Sequence, residues 1–429
     1  MRRLSRTLGP VAVAVLALTA AGCGGGGSGS GDGSSDAASS SSSSPSADSG
    51  GGDADLLVWT DSLKIDAVKK VADDFGAANG ITVKVQAISE DLQGSFVTAD
   101  AAGNGPDVVV GAHDWIGNLV QNGAIEPLNL TPDELSGYSE KAVQATTYDG
   151  KLYGVPYGVE ALALYRNTEV VPDEPKTMDD AIAEGQAAVK AGKVDSALNL
   201  PVGELGDAYH MEPILTSFGG YIFSYDDATG YDAQDVGIGK EGSVKAAQEI
   251  SQLARDKVLR TSISGDNSIA LFTSGKAAFL VSGPWALADV KKAGFDYAIQ
   301  PVPGFAGQEA AAPFMGAQAF MVAANGKNKD IAQEFVNNGV NSEDAMTTLY
   351  EGTQLPPAMT AVQEQVDDPD LSVFTEAANA AAPMPAIPAM ASVWEPLGKA
   401  YAAIVSGKDP VSTIQSAGDT ITKAIADAG

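Results

Sequence analysis

The chain contains almost no cysteine or histidine: Cys23, His113 and His210 are the only ones in 429 residues. A single cysteine excludes a disulfide within the chain, and so few thiol and imidazole groups nearly exclude a zinc site built from them. Cysteine-dependent catalysis is excluded for the same reason. We therefore predict that the protein needs neither a metal nor a cofactor.

Basic residues are also scarce, with 26 Lys and Arg against 55 Asp and Glu, which gives a formal net charge of −29. Such an acidic chain is repelled by nucleic acid and by anionic membrane surfaces, so we expect neither as an electrostatic partner. Hydrophobic residues make up 44 % of the chain, enough for a sizeable core. At about 150 residues per domain, the length predicts two or three domains, and we expect a monomer.

The apolar stretch Val11–Ala21 is too short to span a bilayer, which takes about 20 residues in a helix. It follows three arginines, as in an export signal, and small residues then precede Cys23. This arrangement is similar to a bacterial lipobox, whose cysteine is lipidated and becomes the new N-terminus. We predict a signal peptide over residues 1–22 and a palmitate-bearing lipid anchor on Cys23, on the extracytoplasmic face of the cell membrane. An ordinary secretory peptide cleaved nearby is the alternative.

Residues 23–54 consist of Gly, Ser, Asp and Ala after Cys23, with one Pro and no basic residue. This composition has nothing to bury and predicts a disordered tether. A flexible coil of about 30 residues spans ~30 Å root-mean-square, so it would hold a folded part near a membrane.

The most informative stretch of the remaining chain is Gly105–Trp115. A Gly-Pro-Asp turn is followed by three valines, Val108–Val110, which suit a strand buried on both faces. Ligands of open α/β sheets bind beyond the carboxyl ends of the strands, so Asp114 and Trp115 stand where a ligand would lie. A carboxylate beside an indole suits a sugar, which offers hydroxyl groups and an apolar face. The alternative is that Asp114 caps the next helix and Trp115 packs against it.

Predicted strands and amphipathic helices follow one another from residue 56 onward. The strands are 56–59, 81–87, 108–110 and 279–282, and the helices are 67–78, 92–101, 178–191, 243–256, 268–274, 329–337, 342–350 and 411–428. This alternation is typical of βαβ units and predicts an α/β fold with parallel sheets.

An ordered series of short segments resembles the maltose/maltodextrin-binding proteins of ABC importers over residues 55–425. The segments are Leu57–Trp59, Gly105–Asp107, Ala112–Asp114, Asp149–Pro156, Val159–Leu162, Ser282–Trp285 and Met384–Pro388. The resemblance implies a two-lobed periplasmic-binding-protein-like fold, each lobe a mainly parallel sheet flanked by helices, with a hinge between them. The first lobe would hold 55–158 and 316–365, and the second 159–312 and 370–429.

The resemblance also implies a function. The protein would capture an α-glucoside such as maltose or a maltodextrin between its lobes, without catalysis, and deliver it to the permease subunits of an ABC importer. Trehalose and a cyclic or other oligosaccharide are alternatives. A further alternative is a secreted glycoside hydrolase that uses Asp114 and Glu160 as paired carboxylates.

Family sugar sites place acids on hydroxyl groups and aromatic rings under sugar rings. The positions that match such roles are Asp61, Lys64, Asp114, Trp115, Glu160, Asp207, Tyr209, Trp285, Trp394 and Glu395. We expect Trp59 in the core and a structural role for His113.

The sequence departs from the family pattern at several of these positions. Where the family has an aromatic residue just before Ala-His-Asp, this chain has Gly111, and where the family has an arginine just after it, this chain has Trp115. Near the end of the chain Glu395 replaces a tyrosine and Gly398 an arginine, and the match at Tyr209 needs an insertion at residues 202–206. Our hypothesis is that Trp115 supplies the stacking surface that Gly111 vacates.

Overall fold

The computed structural model describes residues 54–226 and 230–428. The predicted signal peptide, the predicted lipidation site Cys23 and nearly all of the tether lie outside these residues. The strands are β1 (Leu56–Thr60), β2 (Val83–Ala87), β3 (Val108–Ala112), β4 (Thr147–Tyr148), β5 (Lys151–Leu152), β6 (Val155–Glu160), β7 (Ala163–Asn167), β8 (Ser196–Asn199), β9 (Phe223–Asp226), β10 (Gly230–Val236), β11 (Ala277–Ser282), β12 (Tyr297–Pro301) and β13 (Gly316–Val322).

Helices surround these strands. They are α1 (Ile65–Asn79), α2 (Leu92–Ala101), α3 (Ile116–Gln121), α4 (Glu140–Ala145), α5 (Met178–Lys190), α6 (Glu212–Ser217), α7 (Glu241–Arg255), α8 (Ser268–Thr273), α9 (Leu287–Lys291), α10 (Lys329–Glu334), α11 (Glu343–Thr353), α12 (Thr360–Gln363), α13 (Pro369–Ala380), α14 (Trp394–Val405) and α15 (Pro410–Ala428). Short 3-10 turns cover His113–Trp115, Pro132–Leu135, Pro284–Ala286 and Pro388–Ser392, and Phe335–Val340 is a π-helix.

Helix α1 shows how the sequence specifies an element. Its buried residues include Val68, Val71, Ala72 and Phe75, at the spacing of one helix face. The helix ends at Gly80, whose φ of 69° is accessible to glycine at little cost. Burying each valine or phenylalanine stabilises the fold by about 1.5–3 kcal/mol, so this face holds the helix against the first sheet.

Two mixed sheets form the frame of the described residues. The first has the order β2-β1-β3-β13-β6, in which β1 is parallel to β2 and β3 while β13 runs antiparallel to β3 and β6. The second has the order β12-β7-β11-β8, in which β8 and β11 are the only parallel neighbours. The prediction of an α/β fold is confirmed.

The prediction that each sheet is mainly parallel is confirmed by strand direction, because only β13 runs against the other four strands of the first sheet and only β7 runs against the other three of the second. A parallel neighbour needs a long crossover, usually a helix, whereas strands entered by other routes can run antiparallel. Strand β6 ends at Glu160 in the first sheet and β7 begins at Ala163 in the second, with two residues between them. Strand β13 likewise enters the first sheet after β12 has left the second, without a helix between them.

The chain therefore passes between the two sheets twice, from β6 to β7 and from β12 to β13, and a later segment at residues 382–384 lies beside the second passage. Gly316 pairs with Glu160 in the β13–β6 ladder. Met315 donates its N–H to the Ala382 carbonyl at 2.9 Å and accepts from the Met384 N–H at 2.8 Å. These hydrogen bonds join the connecting segments into one narrow band between the two sheets.

His113 ties this band to the end of β3. It is fully buried, its Nδ1 atom accepts from the Ala317 N–H at 3.0 Å, and its Nε2 atom lies 2.9 Å from the Met384 carbonyl oxygen. Because Nδ1 accepts, the proton of the neutral ring is on Nε2 and is donated to Met384. Burial lowers the pKa of His113 to about 4 against the two backbone hydrogen bonds, so the ring is neutral at physiological pH.

Separate hydrophobic cores lie against the two sheets. Leu56, Val108 and Phe320 belong to the core of the first, and Leu164, Phe279 and Leu397 to that of the second. Both sheets belong to a single compact unit. Among the described residues, no helix combines the length and the apolar character needed to cross a bilayer.

Candidate functional site

Asp114 lies at the carboxyl end of β3, in the 3-10 turn His113–Trp115. It is 8 % exposed, and its buried Oδ1 atom has no hydrogen-bond partner in the described protein. Burial raises the pKa of Asp114 to about 7; its own backbone N–H and hydrogen bonding from the nearby Trp394 indole oppose this shift, and the charge of Glu160 adds to it. Asp114 is therefore a buried acid with spare hydrogen-bonding capacity.

Trp115 lies directly over Gly111. A β-carbon built on Gly111 would lie 2.1 Å from Cζ3 of the Trp115 indole, so the ring occupies the space that any larger residue at 111 would need. The indole packs against the core that contains Val109 and Ile116 and stays partly exposed. The hypothesis that Trp115 takes the place vacated at Gly111 is thus consistent with the geometry, while its role toward a ligand stays a prediction.

The second sheet repeats this arrangement at Trp285. The residue follows the end of β11, and a β-carbon built on Gly283 would lie 2.0 Å from Cζ3 of its indole. The ring is partly exposed and packs against both cores of the second sheet. Each sheet therefore presents one indole at a strand end, held flat against a glycine.

Tyr209 and His210 pack around Trp285. The ring centroids of Tyr209 and Trp285 are 6.4 Å apart at an angle of 39°, and the His210 ring meets Trp285 edge-on at 6.1 Å. Asp207 fixes His210 by accepting from its backbone N–H at 2.8 Å and lying 2.7 Å from its Nδ1 atom. The Tyr209 hydroxyl is buried without a protein partner among the described residues.

Glu160 stands where the chain passes between the sheets, at the end of β6. Its Oε1 atom accepts from Gln318 Nε2 at 3.1 Å, and a β-carbon on Gly316 would lie 2.7 Å from its Cγ atom. Burial raises the pKa of Glu160; the charge of Lys64 and the Gln318 hydrogen bond oppose this, Asp61 adds to it, and His210 opposes it. Lys64 is itself paired with Asp61 in a tight turn after β1.

Groups from both sheets lie close enough to influence one another's pKa values. Burial raises the pKa of the Tyr209 hydroxyl, and Glu160, Asp207, Glu212 and Asp114 raise it further. Tyr209 belongs to the loop after β8 of the second sheet, whereas Asp114 follows β3 of the first. The predicted residues that lie together are Asp61, Lys64, Asp114, Glu160, Asp207, Tyr209, Trp285 and Trp394.

Two predicted residues relate to this group differently. Trp115 is the residue after Asp114 and packs in the adjoining core. Glu395 stands apart, because its carboxylate pairs with Lys399 one turn further along α14 and 73 % of its side chain is exposed. A residue at a helix start can face either way, and here Trp394 faces Asp114 while Glu395 faces solvent.

The inserted loop at residues 202–206 explains why position 398 is a glycine. A β-carbon on Gly206 would lie 1.7 Å from the Gly398 carbonyl oxygen, so the loop backbone touches α14 directly. A larger side chain at Gly398 would meet this loop, since even a β-carbon would lie 3.1 Å from the Gly206 carbonyl carbon. Backbone of this loop therefore lies beside Gly398, where the resemblance leads us to expect an arginine.

Sequence reasoning missed several groups in the site. Gln318 lies on β13, a strand that was not predicted, and its Oε1 atom is buried without a protein partner. The Tyr157 hydroxyl is also buried without a hydrogen-bond partner in the described part of the chain, and Asp61 and Glu160 add to the rise in its pKa that burial causes. The glycines at 111 and 283, each shortly before a tryptophan, were a further signal for the way the two indoles pack.

The arrangement suits a neutral ligand with many hydroxyl groups. Carboxyl, phenol and amide groups donate to and accept from hydroxyls, and the indoles offer apolar faces. Among the described residues, no group of three or more His, Cys, Asp or Glu side chains is placed to hold a metal ion.

Comparison with known proteins agrees with this chemistry. A family model described as bacterial extracellular solute-binding protein matches residues 70–383. The chain belongs to this family. The two-lobed fold expected from the resemblance is confirmed with it, and so is the relationship to maltodextrin-binding proteins.

Several curated relatives align with most of this chain. The galactooligosaccharide-binding protein of Bacillus subtilis (strain 168) is 31 % identical over 384 residues, which cover 86 % of this chain and 88 % of that protein. A maltodextrin-binding protein of the same organism is 30 % identical over 365 residues, 82 % of this chain and 85 % of the relative. A maltooligosaccharide ABC transporter solute-binding lipoprotein of Streptococcus pneumoniae (strain ATCC BAA-255 / R6) is 26 % identical over 379 residues, 86 % and 87 % of the two chains.

Proposed function

We propose that the protein is a receptor that binds an oligosaccharide in the cleft between its two lobes and delivers it to the permease of an ABC importer. The observation that carries the proposal is that Asp114 and Tyr209, from different sheets, lie within electrostatic range, each with a buried polar atom that has no protein partner. Sugar hydroxyls would satisfy both atoms, and burying them unpaired costs about 1–3 kcal/mol each.

We propose an α-glucoside of the maltose or maltodextrin type as the ligand, as two of the relatives' names suggest. Trp115, Trp285 and Trp394 would stack on sugar rings, and the carboxyl groups of Asp114 and Glu160 would bind hydroxyls at the ring edges. Asp61, Lys64 and Asp207 would support these contacts through the ion pair and the His210 contacts described above. Glu395 would contribute least.

A galactooligosaccharide is the second candidate. The B. subtilis relative named for that sugar is 31 % identical to this chain. The site also departs from the maltodextrin pattern at Gly111, Trp115 and Gly398, where the Trp115 indole lies over Gly111 and loop backbone lies against Gly398. Such changes alter the shape of the cleft, and with it the sugar linkage that fits.

The lobe boundaries and the anchor belong to the same proposal. We assign 55–158 and 316–365 to one lobe and 159–312 and 370–429 to the other. Lipidation of Cys23 would hold the receptor at the extracytoplasmic face of the membrane as a monomer. Replacing Cys23 with serine should release the protein from the membrane fraction, and membrane retention of this variant would refute the anchor.

The test of the ligand is a calorimetric titration with maltotriose, maltoheptaose, a cyclic maltodextrin, trehalose and a β-1,4-galactooligosaccharide. The proposal predicts saturable binding of at least one sugar and no release of shorter products on long incubation. Binding of none would refute it. Steady product release would favour a hydrolase that uses Asp114 and Glu160.

A further inference from the structure

Glu212 is a buried acid that the proposed function does not use. It is the first residue of α6 and is 3 % exposed. Its Oε2 atom is buried and has no protein partner among the described residues. Burial raises the pKa of Glu212 well above its usual value, because the interior disfavours the charged carboxylate relative to the protonated acid.

Glu212 lies within electrostatic range of three tyrosines, since it adds to the rise in pKa that burial causes at Tyr209, Tyr231 and Tyr401. Tyr231 is satisfied, because its hydroxyl donates to the Pro383 carbonyl at 2.6 Å. The hydroxyls of Tyr209 and Tyr401 are buried and have no protein partner. Glu212, Tyr209 and Tyr401 therefore combine three buried polar groups with unused hydrogen-bonding capacity.

Tyr209 joins this cluster to the candidate site. Its hydroxyl is within electrostatic range of Glu160 and Asp114 as well as of Glu212. Its ring packs on Trp285, and the backbone N–H of Glu212 donates to its carbonyl oxygen at 3.2 Å. A ligand that reaches the Tyr209 hydroxyl from Asp114 thus comes to the edge of the cluster.

We propose that Glu212, Tyr209 and Tyr401 form an inner polar subsite that binds one hydroxyl group of the sugar and selects for it. This inference rests on the proposed function. A neutral carboxyl group both donates and accepts, so it pairs with a hydroxyl in a way that a carboxylate cannot. A sugar without that hydroxyl leaves buried polar groups unpaired, which should weaken binding at least about tenfold.

The test compares Glu212→Gln with Glu212→Leu by calorimetry, using maltotriose, galactotriose and monodeoxy derivatives of each. The glutamine keeps a donor and an acceptor, so its affinity should stay within about threefold of the natural protein. The leucine should bind at least about tenfold more weakly. The natural protein should bind one monodeoxy derivative more weakly than the parent sugar, and the leucine variant should lose this discrimination. A purely structural role of Glu212 would not produce such a loss.

Glu184→Leu is the matched control, because the Oε2 atom of Glu184 is also buried without a partner but its charged neighbours are Asp173, Asp180 and Arg166. It should leave affinity unchanged. If Glu212→Leu fails to fold, Tyr401→Phe decides, with an expected loss of about three- to tenfold at an unchanged melting temperature.

Equal affinity of the natural protein and a folded Glu212→Leu or Tyr401→Phe variant would overturn the subsite and leave the receptor proposal standing. Retained discrimination among the monodeoxy sugars in Glu212→Leu would do the same. If the natural protein binds neither trisaccharide nor any other sugar of the panel, the receptor proposal and the subsite fall together.

Discussion

Adding one methyl group at Gly111 or Gly283 should displace an indole from the ligand site. The new β-carbon would lie 2.1 Å from Trp115 in Gly111→Ala and 2.0 Å from Trp285 in Gly283→Ala. Non-bonded carbons settle at about 3.5 Å, so each ring must retreat by roughly 1.5 Å. Both indoles are partly exposed and can move without breaking the fold.

The expected loss follows from the contacts that the ring would make. An indole face on a sugar ring makes about ten carbon contacts of ~0.1–0.2 kcal/mol each, so displacement should cost about 1–2 kcal/mol, or roughly 5- to 30-fold in affinity. Both variants should show this loss if Trp115 and Trp285 stack on the ligand equally. An effect at Gly283 alone would mean that Trp115 only packs.

The assay is a tryptophan fluorescence titration with the sugar that binds best, alongside calorimetry and thermal melting. Gly137→Ala is the control, because a β-carbon there meets nothing within 4 Å. The reasoning is refuted if both glycine variants keep natural affinity and natural fluorescence. The relocation hypothesis is also wrong if Trp115→Ala leaves affinity unchanged while Trp285→Ala abolishes it.

Other substitutions and conditions test separate parts of the account. The pKa of Asp114 is about 7 in the folded protein and 3.8 in the unfolded chain, so the fold loses stability as pH rises from about 4 through 7. Over that range Asp114→Asn should gain on the order of 3–4 kcal/mol of stability relative to the natural protein, as measured by denaturant melts. A stability difference between the two proteins that does not change with pH would contradict this. The pKa of His113 is lowered from 6.5 to about 4, so its contribution is lost as pH falls through that window. His113→Leu should destabilise the protein by about 2–5 kcal/mol at pH 7 by leaving two backbone groups unpaired, and should weaken the acid dependence of its melting temperature. Gly206→Ala, at a φ of 88° and against Gly398, should cost about 1–3 kcal/mol and weaken sugar binding. Gly203→Ala, at a φ of 70° but with only an ordinary contact to Ser264 Cβ at 3.6 Å, should cost less and leave affinity unchanged. Affinity for a neutral sugar should change less than tenfold between low and moderate salt, and a larger drop in calorimetry would indicate a charged ligand.

The sequence was sufficient to predict the helices and strands whose hydrophobic pattern is local. Helix α1 was predicted over 67–78 and extends over Ile65–Asn79, and the helix predicted over 92–101 is α2. Strand β13 was missed, because GAQAFMV has neither alternation nor flanking turn residues strong enough to distinguish it from a buried helix segment. Its antiparallel direction depends on the other strands of the sheet, which no local pattern encodes.

The residues of the candidate site also divide into those that the sequence indicated and those that it did not. Asp114 and Trp285 follow strands that the sequence indicated, and their positions beyond the strand ends were predictable. The burial of Glu212 was not predictable, because an acidic residue at the start of a short helix is ordinarily exposed. Its burial is a tertiary effect, because α6 packs against α7 and shares a hydrophobic core with α14, nearly two hundred residues further along the chain.

A crystal structure of the protein with its best-binding oligosaccharide tests the central claim most directly. The account predicts a sugar hydroxyl about 3 Å from Oδ1 of Asp114 and another beside the Tyr209 hydroxyl, with sugar rings on the indoles of Trp285 and Trp394. A sugar bound elsewhere on the molecule, with these four side chains free of it, would contradict the account.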